Sequence, residues 1–185
     1  MTAYPQLDEF LALPIPALVA RFAVGVENFD RRVVTLTDDQ LDMAFLPDSG
    51  PNLGRWPVRV LLGHLADAEL AFIQRMRRIV AEERPILQSW DENAFIDSGL
   101  YGTDRTPREH RQSIGAFIGT IFTLRKWTAE WLRSLEPSAF SRVGLHTERG
   151  EQSLKTILVY DTWHLEHHAA FLNAKVVRFL GPKSG

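Results

Sequence analysis

Residues 154–176 read LKTILVYDTWHLEHHAAFLNAKV, and apolar residues recur in this stretch every three or four positions. That spacing matches the 3.6-residue period of an α-helix, so the stretch predicts a long helix with one buried face. His164 and His168 fall on this face, one helical turn apart. Two imidazole rings placed in this way can converge on one metal ion at bond lengths of about 2.0 to 2.1 Å.

Four segments show the helical period, and they are 16–36, 57–83, 106–137 and 153–181. The third segment has the pattern of a helix start, with Thr106 as N-cap, Pro107 at the first position and Glu109 completing a capping box. Ser153 is the predicted N-cap of the last helix, and Gly181 its predicted end. Four helices that each carry one apolar face are best buried in a bundle.

The connections between these helices are long. Residues 37–40 have the spacing of a capping box, and residues 47–54, rich in Pro, Gly, Asn and Ser, predict a loop. The connection 84–105 has no sustained period apart from a helical turn at 90–96, and 138–152 contains a candidate extended stretch. We therefore expect residues 1–185 to form a single all-α domain, a four-helix bundle with long inter-helix connections.

Composition excludes several classes of function. The chain of 185 residues has 21 basic and 23 acidic residues, and the resulting net charge of -2 gives no attraction toward nucleic acid or anionic lipid. It contains no cysteine, which excludes disulfides, thiolate metal ligands and a cysteine nucleophile. The first 16 residues do not resemble a signal peptide, and no apolar run is long enough to span a bilayer. We expect a cytoplasmic protein with a small-molecule substrate.

His64 lies on the apolar stripe of the second helix and is the natural third partner of His164 and His168. Three imidazoles suit zinc, nickel, copper and iron, and they leave a coordination position open. The alternative is that the three histidines are buried for structural reasons alone, although unpartnered polar groups are costly in a core. His167 lies at the flank of the stripe, where a surface or interface position is expected.

The remaining histidines and two carboxylates are candidates for supporting roles. His110 and His146 are expected to be solvated rather than ligating. Asp161 precedes His164 by three residues, and its carboxylate could accept a bond from the non-ligating ring nitrogen, approach the metal, or act as a base. Asp67 follows His64 by three residues and could orient that ring, or it could be a solvated charge.

Two common metalloenzyme patterns are excluded by spacing. In the zinc-protease motif a glutamate directly follows the first histidine, whereas Glu166 comes two residues after His164 and points to a different side of the helix. Carboxylate-bridged di-iron bundles need paired Glu-x-x-His motifs and two more glutamates, which this chain lacks. A single metal ion is the preferred interpretation.

The chain resembles the DinB-like superfamily of DinB/YfiT-like metalloenzymes over most of its length. The resemblance comes from the Trp56-Pro57 helix start, the motif 63–69 (GHLADAE), the connection around Trp90, the segment 146–150 and the final His164-x-x-x-His168. It implies a four-helix bundle in which His64, His164 and His168 hold a divalent metal, nickel or zinc. It also implies that homodimers are common.

Relatives with assigned activities use low-molecular-weight thiols, as bacillithiol S-transferases and mycothiol-dependent isomerases do. The resemblance therefore implies an external thiol or water at the open metal position, in a thiol S-transferase or a hydrolase. We expect the substrate to enter between helices, bordered by Trp90, Tyr101 and the segment around His146, while Trp127, Trp131 and Trp163 serve core or dimer packing. The alternative is a non-catalytic, metal-binding, dimerising scaffold related to stress.

Overall fold

The computed structural model describes residues 4–46, 49–50, 53–102 and 106–183, most of which are helical. The helices are α1 (Leu7–Leu11), α2 (Ile15–Ala23), α3 (Asp38–Leu41), α4 (Val58–Ala81), α5 (Glu92–Asp97), α6 (Ile114–Arg133) and α7 (Leu154–Leu180). The strands are β1 (Ile86–Leu87), β2 (Val143–His146) and β3 (Gly150–Ser153). Short 3₁₀ turns occupy Gly25–Asn28, Arg31–Thr35, Arg108–His110 and Pro137–Ser141.

Four helices form the predicted bundle. The long helices α4 and α7 pack against each other, α6 packs on α4, and α2 packs on both α6 and α7. The short α1 lies against α7. The bundle confirms the predicted all-α architecture, and it brings α4 and α7, the two helices that carry the candidate ligands, side by side.

The helix ends on α3, α4 and α7 agree with the sequence. Ser153 caps α7 by accepting a hydrogen bond from the amide of Thr156 at 3.1 Å, and α7 ends at Gly181, whose φ of 77° suits glycine. The capping box that begins at Thr37 is present on α3. Helix α4 begins directly after Pro57, as its fixed φ favours.

The prediction of one continuous helix over 16–36 is wrong. Helix α2 ends at Ala23, and two 3₁₀ turns follow. Gly25 lies so close to α6 that a Cβ built there would come within 2.5 Å of Nη1 of Arg125, so the chain turns over this guanidinium. Further on, Asp30 caps the second turn, and its amide donates to Oδ1 of Asn173 at 2.7 Å. These tertiary contacts outweigh the local helical preference.

The predicted start of the third helix at Thr106 is also wrong. Residues Arg108–His110 form only a 3₁₀ turn, and α6 begins at Ile114, where Oγ of Ser113 accepts the amide of Gly115 at 3.2 Å. The reason is tertiary, because Nη1 of Arg59 on α4 donates to the carbonyl of Gln112 at 2.6 Å. This bond holds the residues that precede α6 against α4, so that α6 begins at Ile114 and not near Thr106.

The connections contain a small sheet that the sequence only partly predicted. The expected extended stretch in 138–152 is a β2–β3 antiparallel hairpin, and β1 pairs with β2 in parallel. The predicted helical turn at 90–96 is present as α5. Of the predicted loop 47–54, residues 49–50 and 53–54 are non-helical, and residues 47, 48, 51 and 52 lie outside the described residues, as do 103–105 of the connection 84–105.

The apolar core consists of two clusters of buried residues along the bundle. On α4 the first cluster ends at Ala66 and the second begins at Ile73. Arg125, Glu69 and Asp161 are fully buried between these two levels, and they form a polar layer that crosses the core.

Arg125 ties the four bundle helices together through this layer. Its Nε donates to Glu69 at 2.6 Å, its Nη1 to the carbonyl of Phe22 at 3.1 Å, and its Nη2 to both the carboxylate and the carbonyl of Asp161 at 2.9 Å. Burial raises the pKa of both carboxyl groups, and the charge of Glu69 raises the pKa of Asp161 further. No helix among the described residues is long and apolar enough to cross a membrane.

Candidate metal centre

The three predicted histidines meet at one point in the bundle. His164 and His168 project from successive turns of α7 toward His64 on α4, and each ring offers a nitrogen that lies within 4.8 Å of the others. The Nε2 atoms of His64 and His164 are 3.2 Å apart. Ligand nitrogens at about 2.0 to 2.1 Å from a tetrahedral ion are about 3.3 Å from each other, so His64 and His164 already have the spacing of two ligands of one metal ion.

Burial keeps these histidines in the form that binds metals. It lowers the pKa of His64 to about 4 and that of His168 to about 3. The pKa of His164 is also far below its ordinary value, first because of burial and then because of the neighbouring His168 and His64. All three rings are therefore neutral at neutral pH, and each has a lone pair for a metal.

Aromatic side chains orient the ring of His64. Trp90 stacks on it with ring centroids 5.3 Å apart, and Trp56 lies 4.9 Å from it. Trp56 also stacks against His168 at 5.9 Å. These contacts hold the rings and shield them from solvent, which explains the lowered pKa values.

The two candidate carboxylate partners are engaged elsewhere. Asp67 accepts the hydroxyl hydrogen of Tyr101 at 2.7 Å, and Asp161 pairs with Arg125. The Nδ1 atoms of His64 and His168 are enclosed and have no hydrogen-bond partner in the part of the chain that the structure describes. The roles predicted for Asp161, as ring partner or base, stay predictions.

The other histidines differ from one another in their surroundings. His110 is exposed as expected, whereas His146, expected to be solvated, is only 5% exposed on β2. His167 is half-buried and stacks on Trp163 at 4.9 Å. Burial of His146 could not be predicted, because it depends on strand pairing between distant segments.

Two cavities reach the histidines of α7, one lined by His164 and the other by His168. The His164-side cavity has a volume of about 390 Å³ and is lined by Phe72, Arg75, Ser89, Trp90, Glu92, His146, Glu148, Arg149, Tyr160, Trp163 and His164. The His168-side cavity, of about 220 Å³, is lined by Leu53, Gly54, Arg55, Trp56, Leu61, His167, His168, Phe171 and Lys175. Among the described residues no fourth histidine or carboxylate joins the three ring nitrogens, so a coordination position stays open.

Of the residues predicted to border the substrate entrance, Trp90 and His146 line the His164-side cavity, whereas Tyr101 does not. Tyr101 is 3% exposed because its ring packs directly on Gly63, whose missing Cβ makes room for it. Trp163, predicted to serve packing, also lines the His164-side cavity. Trp127 is 48% exposed, so it is not a core residue.

Sequence reasoning missed the buried charges near the site. Arg125 follows the buried Ile121 by four residues, so a charge on an apolar helix face was the available signal. Lys175 has a similar signature on α7, where it follows the buried Leu172 by three residues. Its Nζ donates to the carbonyls of Leu53 and Gly54, and burial lowers its pKa to about 8.

The fold and the site together define a four-helix-bundle protein with a three-histidine centre that fits one divalent metal ion. The family model described as the DinB superfamily matches residues 21–172. The chain belongs to the DinB superfamily.

Individual relatives agree with this assignment. A protein of Oceanobacillus iheyensis is 29% identical over 77% of this chain and 74% of its own length, and YfiT of Bacillus subtilis is 29% identical over 76% and 71%. Both carry the name "Putative metal-dependent hydrolase". The solved structure of YfiT, described as an unusual four-helix bundle, superposes with a TM-score of 0.70 at 22% identity and covers 98% of this chain and 91% of that one.

Proposed function

We propose that this protein is a metal-dependent hydrolase whose metal ion is held by His64, His164 and His168. The observation that carries the proposal is the convergence of three neutral ring nitrogens, without a fourth protein ligand among the described residues, beside the His164-side cavity. A closed four-ligand site would favour a structural metal, whereas an open position beside a cavity favours catalysis.

A bound divalent ion would supply Lewis acidity toward a carbonyl oxygen and toward water. The protein supplies the rest of the site. Trp90 and Phe72 line the approach to His164 and exclude bulk water from it, and their apolar surface can hold the apolar part of a substrate. The packing of α4 against α7 keeps the three rings together.

Zinc and nickel are the proposed ions, since imidazole ligands suit both. The names of the relatives support hydrolysis, and the three-histidine geometry supports its dependence on a metal. A thiol S-transferase, a homodimer and a cytoplasmic location stay predictions, as does the scaffold alternative.

Elemental analysis of the purified protein tests the ligand set. We expect one zinc or nickel ion per chain, and we expect His64→Ala and His164→Ala to lose most of it. His110→Ala is the matched control, because it removes an exposed histidine outside the site. Undiminished metal content in both ligand variants would exclude the proposed centre.

Assays of the metal-loaded protein separate the candidate reactions. Hydrolysis of a panel of nitrophenyl esters and amides that is lost in His164→Ala supports the hydrolase. Thiol consumption with bacillithiol, mycothiol, glutathione or coenzyme A, without hydrolysis, would support the S-transferase instead. Metal binding with neither activity would favour the scaffold.

A further inference from the structure

The His164-side cavity contains a cation, Arg75, that forms no salt bridge with an acidic group of the described residues. Arg75 on α4 is partly buried in the cavity wall, and its Nε and Nη2 both donate to the carbonyl of Gln88, at 3.2 and 2.7 Å. That partner is neutral, and Nη1 has no hydrogen bond within the described ranges. The exposed Glu148 acts on this guanidinium only through its charge and forms no salt bridge with it. A partly desolvated guanidinium without a salt bridge is costly, so it favours an anionic ligand.

His146 contributes a neutral hydrogen-bond donor to the same cavity. Its Nδ1 accepts the backbone amides of Glu148 and Arg149 at 3.2 and 3.3 Å, so the ring proton lies on Nε2. Burial, followed by the charges of Arg75 and Arg149, lowers the pKa of His146 and keeps the ring neutral. The Nε2 atom has no protein partner among the residues described, and the ring lines the cavity.

The other charged residues of the cavity lie at its exposed rim, whereas Arg75 lies in its partly buried wall. Glu92, Glu148 and Arg149 also line the cavity, but all three are exposed. Solvent screens their charges, whereas Arg75 is partly withdrawn from water. The buried part of the cavity is therefore cationic, although the formal charges around it balance.

Aromatic rings complete the lining. Trp90, Trp163, Phe72 and Tyr160 provide apolar surface beside His164, and the cavity volume of about 390 Å³ suits a small molecule. A ligand matched to this lining has an apolar body and one charged end.

We propose that the His164-side cavity binds small molecules through an oxyanion, a carboxylate or a phosphate, that accepts hydrogen bonds from Nη1 of Arg75 and Nε2 of His146. The inference rests on the proposed function, because it treats this cavity as the substrate's approach to the metal. It adds the substrate class: a small apolar or aromatic molecule with an anionic group placed away from the bond that is cleaved. Charge-assisted bonds from a guanidinium are the strongest that such a group can receive.

Calorimetric titration of the zinc-loaded protein tests the proposal with three probes of similar shape. Benzoate and phenyl phosphate carry the two candidate oxyanions, and benzamide is the neutral control. We expect the better anion to bind about tenfold or more tightly than benzamide. The tighter of the two anions identifies the oxyanion that the cavity recognises.

Two variants locate the contact. Arg75→Met removes the charge, and His146→Asn keeps an acceptor for the two backbone amides while it removes the Nε2 donor. Each should weaken the anion about tenfold and leave benzamide unchanged. Arg77→Met is the matched control, because it removes the same charge from the same helix at a residue that stacks on Trp127 and Trp131. Circular dichroism establishes that each variant is folded.

The metal itself could attract an anion, so the titration is repeated after metal removal and with His168→Ala. An anion preference that vanishes with the metal but survives Arg75→Met overturns the inference and leaves the hydrolase proposal intact. If the preference depends on Arg75 but the protein has no hydrolytic activity, the anion-binding site is sustained, while the hydrolase proposal and the substrate class that rests on it are rejected. Equal binding of all three probes, or no binding of either anion, also overturns it.

Discussion

At the scale of single residues, the site depends on neutral imidazoles. Solvated histidines are partly protonated near neutral pH, and a protonated ring cannot ligate. Here Trp56 and Trp90 enclose His64, and the packing of α4 on α7 buries His164, so that desolvation removes the charge before any metal binds. The aromatic enclosure is thus part of the chemistry of the site as well as of its packing.

Gly63 and Gly119 allow a matched test of local packing. A Cβ at Gly63 would lie 2.4 Å from Cδ1 of Tyr101, whereas nothing lies within 4 Å of one at Gly119. We expect Gly63→Ala to lower the free energy of unfolding by about 1–3 kcal/mol through overpacking. Gly119→Ala, at a helical position with free space, should raise it by about 0.5–1 kcal/mol. Urea denaturation measures both, and equal effects would contradict the close packing of Tyr101 on α4.

The burial of Lys175 predicts an unusual pH dependence of the free energy of unfolding. Its pKa falls from 10.5 to about 8 on burial. Between these values the unfolded chain binds a proton that the folded chain has lost, so the free energy of unfolding should rise with pH, by about 3 kcal/mol in total. Urea denaturation between pH 8 and 10.5 measures this rise. Lys175→Met should lack it, and parallel curves for the two proteins would contradict the burial of a titrating amine.

At the scale of elements, the polar layer joins α2, α4, α6 and α7 where the two apolar clusters meet. One guanidinium donates hydrogen bonds to groups on three neighbouring helices. These bonds form only when each helix has a defined rotation about its own axis and a defined position along that axis. Gly25 belongs to the same arrangement, because its missing side chain lets the chain after α2 pass over Arg125.

Removal of Arg125 should therefore be far more damaging than removal of a surface arginine. Arg125→Met leaves Glu69 and Asp161 buried without their cation, and we expect a loss of about 3–5 kcal/mol in the free energy of unfolding. Arg133→Met, on the exposed face of the same helix, should change it by no more than about 0.5 kcal/mol. Addition of Glu69→Gln to Arg125→Met should recover part of the loss, and purely additive losses would reject the coupling.

At the scale of the whole molecule, metal binding should stabilise the fold, because the three ligands come together only when α4 packs on α7. At a free zinc concentration about 100 times the dissociation constant, the expected gain is about 2.7 kcal/mol. Thermal melting with zinc and with a chelator measures the gain, with His110→Ala as control. His168→Ala should show little of it, and an equal gain in that variant would place the ion elsewhere.

Several features of this protein follow from local sequence. Periodicity and caps predicted α4 and α7 closely, since a helix is defined by contacts between residues three and four apart. The same periodicity placed His164 and His168 together, and the apolar stripe of α4 selected His64 as their partner.

Other features arise from contacts between segments that are distant in the chain. Helix α2 stops at Ala23 because of Arg125, α6 starts late because of Arg59, and His146 enters the cavity wall because β2 pairs with β1. No local pattern encodes these events, since each depends on a partner roughly 50 or more residues away. Local preference thus sets the helices and the ligand spacing, and packing sets where helices end, which charges are buried and what surrounds the metal centre.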